Sequence, residues 1–456
     1  MVVLEAFRTI SDRTFDYYTY FGDLTYDFFS LHSRDILNVL HIFFKQTFNI
    51  LLYITIVFTT MYLVMSIIVA FKKKQKESAF KFTKYPFVTI QIPTYNELAA
   101  INCARKALEF DYPKNRYEII LGDDSSDKKV SKQIDEFASK HKGIIKVTRR
   151  GANVGFKPGN LNHMLKYTKG EFIVIFDSDF LPKKDFLRRI IVPFVKDKRV
   201  DGVQARWVIK NFSQNFPSII GGIIPMFSHH LGLPFFNFVK SNGFIAGSAE
   251  AVRKKTLVKL GGWQSGALTE DIEYSLRLTS LGRKIVYLEN LRCDCEAPFT
   301  VKDLCKQQMR WSYGVISALK KHLFPIFTSR KIRATWKINP VILGSGYLVS
   351  LFFFLLFVTG FLSIITNEPQ PIDWARFFSE TGRNILLTSG YLFTSLIILK
   401  LGKRFNEAHR LIVASFSVGL LVIYTVTVGV FKAIFNRNME WFMLAKKGNI
   451  VKSTAD

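Results

Sequence analysis

Cysteine is scarce in this chain, with four in 456 residues. Cys103, Cys293, Cys295 and Cys305 are too few for a disulfide framework. The close Cys293-Asp294-Cys295 pair has no second CxxC and no His-x-His partner to give it zinc spacing. All four are therefore read as reduced thiols. Acidic side chains are also short in number, 36 Asp+Glu against 63 Lys+Arg, for a formal net charge of +27. That excess suits nucleic acid, anionic lipid or a phosphorylated small molecule, and charge alone does not choose among them. A signal peptide is a poor fit too: the first long apolar run lies some way from Met1, is too long, and lacks a clean small-residue cleavage site.

What is abundant is apolar and aromatic. Hydrophobic residues make up 48% of the chain, mean hydropathy is +0.14, and phenylalanine alone numbers 44. This pattern predicts one large soluble domain joined to lipid-embedded helices. The uncharged run over 48–71 is long enough to cross roughly 30 Å of hydrocarbon, and "KKKQK" follows it at once. By the positive-inside rule its C-terminal end faces the cytoplasm. The resulting plan is an N-terminal segment over 1–47, a membrane helix over 48–71, a cytoplasmic domain over 72–312, interfacial helices over 313–337, membrane helices over 338–433 and a tail over 434–456. Basic "SRKIRATWK" and "KRFNEAHR" fall inside and acidic "NEPQPID" falls outside. Four spans would put the tail outside, yet it is basic and aromatic like an inner interfacial segment, so the span count is open by one. The broken apolar run over 218–239, with His229 and His230, is read as interfacial.

Within the soluble block, short β-rich runs ("FVTIQIP", "YEIILGD", "GIIKVTR", "EFIVIFD") alternate with helical ones. The expected fold is α/β, a mostly parallel sheet with helices on both faces. Ligands of such sheets sit at the carboxyl ends of the strands, where "DDSS" (123–126) and "DSD" (177–179) fall. Asp-x-Asp after a strand is alone weak evidence, because acids there commonly serve turns and helix caps. As ligands, Asp177 and Asp179 offer hard oxygens to Mg²⁺ or Mn²⁺, which would relieve their mutual repulsion.

Further motifs accompany them: "PTYNE" (93–97), "GFKPGNLN" (155–162), "VQARW" (203–207), "FIAGS" (244–248), "LTED" (268–271) and "QQMRW" (307–311). With this ordered D, DxD, TED, QxxRW set, the chain resembles the processive family-2 glycosyltransferases, the cellulose-synthase-like group with cellulose, mannan and chitin synthases. The resemblance spans about 86–312 and implies a GT-A-like fold. It implies that Thr94, Tyr95 and Glu97 line a nucleoside pocket, that Asp123 or Asp124 contacts base and ribose, and that Lys157 and Asp177 contact the nucleotide. It also implies Asp271 as general base, Glu270 as an acceptor-positioning group, and Gly247 and Ser248 at the acceptor site. Gln307, Arg310 and Trp311 lie on a helix, where Arg310 can grip diphosphate and Trp311 can stack on a sugar. In structural terms, "TEDIEYSLRL" is equally a helix start with Thr269 as N-cap. Ala246 stands where cellulose-type synthases often carry cysteine, which weakens cellulose specifically, and the Glu-Trp tail is similar to plant mannan-synthase-like chains.

The implied function is a multi-pass cell-membrane enzyme with a cytoplasmic catalytic domain. It would be an inverting, metal-dependent glycosyltransferase that polymerises a β-linked polysaccharide and translocates it. The expected partners are a nucleotide-sugar donor (a UDP-sugar favoured, or GDP-mannose), a glycan acceptor and the lipid membrane, with no nucleic acid. Two alternatives stand beside it: single transfer to a lipid or polyprenyl-phosphate acceptor, and a non-catalytic basic membrane protein binding phosphorylated ligands.

Overall fold

The structure is a computed structural model and describes residues 2–73, 80–368, 371 and 373–439. The basic run beyond Lys73, part of the 367–373 linker and the Glu-Trp tail from residue 440 lie outside the described residues. In chain order the main elements are α1 (Val2–Phe71), β1 (Val88–Thr94), α2 (Ala99–Leu108), β2 (Tyr117–Asp123), α3 (Lys128–Ser139), β3 (Ile145–Thr148), α4 (Phe156–Leu165) and β4 (Phe172–Ile175). There follow β5 (Leu181–Pro182), α5 (Phe186–Lys196), β6 (Val200–Ile209), α6 (Phe216–Met226), α7 (Leu233–Phe238), β7 (Glu250–Arg253), α8 (Lys254–Lys259), α9 (Glu270–Ser280) and β8 (Lys284–Cys295). The chain closes with α10 (Val301–Thr328), α11 (Ile338–Ile365), α12 (Trp374–Thr388), α13 (Gly390–Leu401), α14 (Ala408–Phe416) and α15 (Val418–Ile434).

Two compact units result, Met1–Val57 with Phe352–Thr388, and Phe58–Leu351 with Ser389–Asp456. The first is helical. Its α1 begins far upstream of the apolar run over 48–71, because the preceding segment holds one glycine and no proline to stop it. His41 Nδ1 lies 2.8 Å from the Ser363 carbonyl oxygen, and a Cβ at Gly360 would meet the Phe48 ring at 3.2 Å, so α1 and α11 approach closely there.

The second unit is built on an eight-stranded sheet of order β3-β2-β1-β4-β7-β6-β8-β5. Strands β3, β2, β1 and β4 run parallel, as do β6 and β8. β7 is antiparallel to both β4 and β6. The α/β expectation holds, with mixed strand directions on the β7 side. β1 and β2 are buried on both faces because helices cover both. The two polar residues inside β1 are paired: Gln91 Nε2 donates to Thr168 Oγ1 at 2.9 Å, and Thr89 Oγ1 to Glu118 Oε1 at 2.7 Å. Ile120, Ile173, Ile175 and Val252 from the sheet meet Leu161, Met164, Leu257, Tyr274 and Leu278 from α4, α8 and α9 in one buried core. That packing fixes where α4 and α9 begin, and therefore where their first residues point.

Where interfacial helices are expected over 313–337, α10 continues unbroken to Thr328, and a short 3₁₀ turn covers Ala334–Lys337. Among the described residues, three helical stretches are long and apolar enough to cross a membrane: Ser33–Phe71, Phe216–Phe238 and Ala334–Ile365. The count rises to five if each of two bent helix pairs acts as one span. Phe216–Phe238 has 72% of its apolar window buried in protein, and its middle, Phe227–Gly232, widens into a π-helical turn. α10 rests on α15: Ser312 Oγ lies 3.2 Å from the Val426 carbonyl oxygen, and a Cβ at Gly429 would collide with Ser312 Oγ and the Met309 carbonyl. Gly429→Ala should therefore destabilise the protein by about 1–3 kcal/mol through overpacking, read as a lower thermal midpoint in detergent.

Candidate active site

The carboxyl ends of β1, β2 and β4 open into one cleft. After β1 the chain turns at Asn96, whose positive φ of 54° is held by its own hydrogen bonds. Its N–H donates to Ser125 Oγ (2.8 Å), its Nδ2 to Ser126 Oγ (2.9 Å), and its Oδ1 accepts the Asp127 N–H (2.9 Å). These bonds tie the "TYNE" loop to the "DDSS" loop. Thr94, Tyr95, Glu97 and Asp124 line the cleft.

Asp123 and Asp124 have different surroundings. Asp123 is buried: Ser125 N–H donates to its Oδ1 at 3.0 Å, while Ser131 Oγ (2.7 Å) and Arg149 Nε (2.8 Å) donate to Oδ2. Burial alone would raise its pKa, but these bonds outweigh burial and hold it below the ordinary carboxylate value. Asp124 is the aspartate at the cleft, gripped by Arg150 through Nε (3.0 Å) and Nη2 (2.6 Å). Arg150 also donates to the carbonyls of Val154 and Phe156, folding the 150–156 loop around itself.

Beyond β4, Asp177 and Asp179 both border the cleft with Ser178 between them, and Ser178 Oγ bonds to Glu97. Lys157, near the start of α4, reaches across: its Nζ stands 2.8 Å from Asp177 Oδ1, 3.2 Å from Glu270 Oε1 and 2.6 Å from the Gly247 carbonyl. The expected nucleotide-contacting lysine is thus set among acids, and it still lines the cleft. Burial would lower its pKa, but Asp177, Glu270 and Glu250 overcome that and raise it.

α9 starts at Glu270, placing Glu270 and Asp271 in its first turn. Thr269 sits at the N-cap position without capping; its side chain is packed against Gly314 of α10 instead. Burial first, then the Glu270 charge, push the Asp271 carboxyl up to about 7, against the opposing pull of Lys157 and Arg310. From α10, Gln307, Arg310 and Trp311 line the same cleft, and Arg310 Nη1 is anchored on the Leu268 carbonyl at 3.0 Å.

Two expected site residues stand elsewhere. Asp123 is a structural carboxylate, as above. Ser248 is buried behind the cleft, where its Oγ accepts the Asp177 N–H (2.9 Å) and its carbonyl accepts Trp207 Nε1 (3.0 Å), while its neighbour Gly247 lines the cleft. Residues that spacing alone does not mark also line it: Phe180, Trp207, His229, Asn153 and Tyr347. Trp207 packs between the Phe180 ring (5.2 Å between centroids) and the His229 ring (5.0 Å). His229, read from sequence as interfacial, is thus a cleft residue. The apolar interruption around it hides that role, although "VQARW" is a usable signal for Trp207.

A family profile described as Glycosyltransferase like family 2 matches residues 86–314, just over half of the chain. The chain belongs to this family. It is therefore a glycosyltransferase. It is 26% identical over 450 residues to glucomannan 4-beta-mannosyltransferase 7 of Arabidopsis thaliana, covering 90% of this chain and 76% of the relative. It is 32% identical over 264 residues to a rice protein named "Probable glucomannan 4-beta-mannosyltransferase 7" (Oryza sativa subsp. japonica), covering 55% of this chain and 44% of the relative. The chain thus spans less than half the length of the rice relative. Its fold is similar to that of a Pyrobaculum calidifontis mannosyltransferase solved with GDP-Man and Mn²⁺, at TM-score 0.59 and 16% identity, covering 85% of this chain and all of that one. The GT-A-like expectation holds.

Asp123→Asn separates the two aspartates. Because the Asp123 pKa is depressed in the folded state, its stabilisation is present at neutral pH and is lost only as pH falls through the carboxylate range. At neutral pH the substitution should cost about 1–3 kcal/mol, seen in thermal melts. Calorimetric nucleotide-sugar affinity should change far less than it does in Asp124→Asn.

Proposed function

We propose that this family-2 glycosyltransferase is membrane-integrated and inverting, and that it extends a β-linked glycan from a nucleotide sugar and passes the product across the membrane. The observation that carries the reading is a single cleft bordered by Asp177, Asp179, Asp271, Arg310 and Trp311, residues from three separated segments. Likeness to glucomannan mannosyltransferases moves GDP-mannose ahead of the UDP-sugar favoured from sequence alone. The same cleft reaches Leu343 and Tyr347 of α11, which supports an exit path beginning beside the acceptor. The helices apolar enough to span support a multi-pass placement, and the basic run "SRKIRATWK" beside them supports the sheet on the cytoplasmic side.

In this reading Asp124, Thr94 and Tyr95 face the nucleoside. Asp177 and Asp179 would hold a divalent cation, Mg²⁺ or Mn²⁺. Their hard oxygens suit it, and no cluster of three or more His, Cys, Asp or Glu ligands occurs among the described residues, so diphosphate oxygens and water would complete the shell. When bound, the cation neutralises charge gathering on the leaving diphosphate. Arg310 and Lys157 face that same charge from the protein. The acceptor hydroxyl oxygen attacks the anomeric carbon opposite the diphosphate. The new C–O bond forms as the bond to phosphate breaks, the electron pair leaves with the diphosphate, and Asp271 takes the hydroxyl proton. Glu270 orients the acceptor, and Trp311 and Trp207 offer flat faces to sugar rings.

A screen of GDP-mannose and UDP-sugars with linkage and length analysis of the product tests the whole reading; short products of fixed length would oppose polymerisation. Asp271→Asn should abolish transfer while donor still binds. In the wild type, kcat/KM should rise with pH through about 7 as Asp271 loses its proton, dropping about tenfold per unit below. Asp179→Ala, or chelation of the wild type, should remove activity that Mn²⁺ or Mg²⁺ restores only in the wild type. Full turnover in excess chelator would refute the cation assignment.

A further inference from the structure

One buried acid beside the cleft has no part in the steps above. Glu250 opens β7, is 1% exposed, and does not itself border the cleft. The backbone of Gly247 connects it to the chemistry. Glu250 Oε2 accepts the Gly247 N–H at 2.6 Å. Gly247 has φ +86°, a left-handed conformation that L side chains rarely adopt. Its carbonyl takes the Lys157 ammonium at 2.6 Å, and a Cβ built on it would stand 3.1 Å from Asp271 Oδ2 and 3.4 Å from Lys157 Nζ. Thus one glycine gives its carbonyl to the central ammonium and leaves no room for a side chain beside the candidate base, while its N–H is held from behind by Glu250.

The flanking peptide groups are held by neutral side chains. Gln204 Oε1 accepts the Ala246 N–H at 2.7 Å, and Gln204 Nε2 donates to the Ser248 carbonyl at 3.0 Å. At Gly247 the acceptor is a carboxyl, which adds a further acid to a pocket already holding Glu270 and Asp271. Burying one more charge there is unfavourable. Lys157 from α4 and both Glu270 and Asp271 from α9 face Glu250, with Asp177 joined through Lys157 and Arg310 acting on Asp271. Burial, then the Asp271 charge, hold the Glu250 carboxyl well above the usual carboxylate range, which favours its neutral form.

We infer that Glu250 is a positioning residue for the glycan acceptor: by clamping the Gly247 turn against Asp271 and Lys157 it fixes the surface on which the attacking sugar lies. The inference rests on the reading above that the Gly247 loop borders the acceptor. Its direct neighbours act on substrate, and Glu250 acts through them. Ionisation of Glu250 at alkaline pH would set another negative charge beside Asp271 and oppose the incoming diphosphate.

The test uses the full-length enzyme in nanodiscs, with GDP-mannose and UDP-glucose as donors and β-1,4-linked manno- and gluco-oligosaccharides as acceptors. Donor affinity is measured by calorimetry, and acceptor kcat and KM by transfer. Glu250→Ala should lose about tenfold or more in acceptor kcat/KM, the range expected when a buried N–H loses its partner, with donor affinity retained. Glu250→Gln keeps an oxygen for the Gly247 N–H and should recover most of that loss, with the alkaline fall in rate displaced to higher pH. Wild-type acceptor kcat/KM in Glu250→Ala, equal impairment in both variants, donor affinity falling in step with transfer, or an unmoved alkaline limb in Glu250→Gln would each overturn the inference. The Glu250→Gln profile decides the matter alone if the alanine variant does not fold. A wild type that binds or hydrolyses donor yet transfers to no glycan overturns the acceptor reading itself, and the inference with it.

Discussion

The Lys157 ammonium is the contact on which the catalytic cleft depends. Four carboxyls, those of Asp177, Glu250, Glu270 and Asp271, crowd the ends of β4, β7 and α9, and like charges at such spacing cannot all ionise without compensation. Lys157 touches two of them and a loop carbonyl at 3.2 Å or less, joining segments that the sheet places side by side. Burial, then the Glu270 charge, raise Asp271 to about 7 even so, and Lys157 both binds the segments together and limits that rise.

The sheet supplies the rest of the placement. Parallel β1, β2 and β4 deliver their carboxyl ends to one edge, and packing of α4 and α9 on the shared core aims Lys157 and Asp271 at it. The antiparallel β7, wedged between β4 and β6, carries the Gly247 loop to the same edge from the opposite direction. Arg149 and Arg150 divide the neighbouring aspartates into one that braces the scaffold and one that faces the cleft, a division made by two adjacent guanidinium groups.

Much of this was legible in the residues. The β-rich runs before each acid revealed the parallel strands, since strands covered on both faces are continuous apolar stretches. The D, DxD, TED and QxxRW order marked Asp124, Asp177, Asp179, Asp271 and Arg310 of the cleft, though not Phe180, Asn153, His229 or Tyr347. What stayed hidden depends on contacts distant in sequence. Nothing local tells Asp123 from Asp124, because the partners that separate them lie 26 residues on. Ser248 reads like a site residue, but strand pairing by β7, only four residues long, turns it to the back. Thr269 has N-cap spacing, and Gly314 of a later helix claims its side chain. Lys157 looks like a phosphate ligand, and only the tertiary fold surrounds it with acids. The length of α1 was missed because hydropathy marks the apolar part of a helix, while helix propensity carries it further.

The close seat of α10 on α15 has a practical corollary for modular engineering. Arg310 and Trp311 belong to a rod whose next turn is keyed to the groove at Gly429, with no joint between them. A chimaera that exchanges the bundle after Thr328 would confront that key with a foreign lock. The natural seam for recombining such enzymes lies before Val301, so that α10 travels with the helix that cradles it.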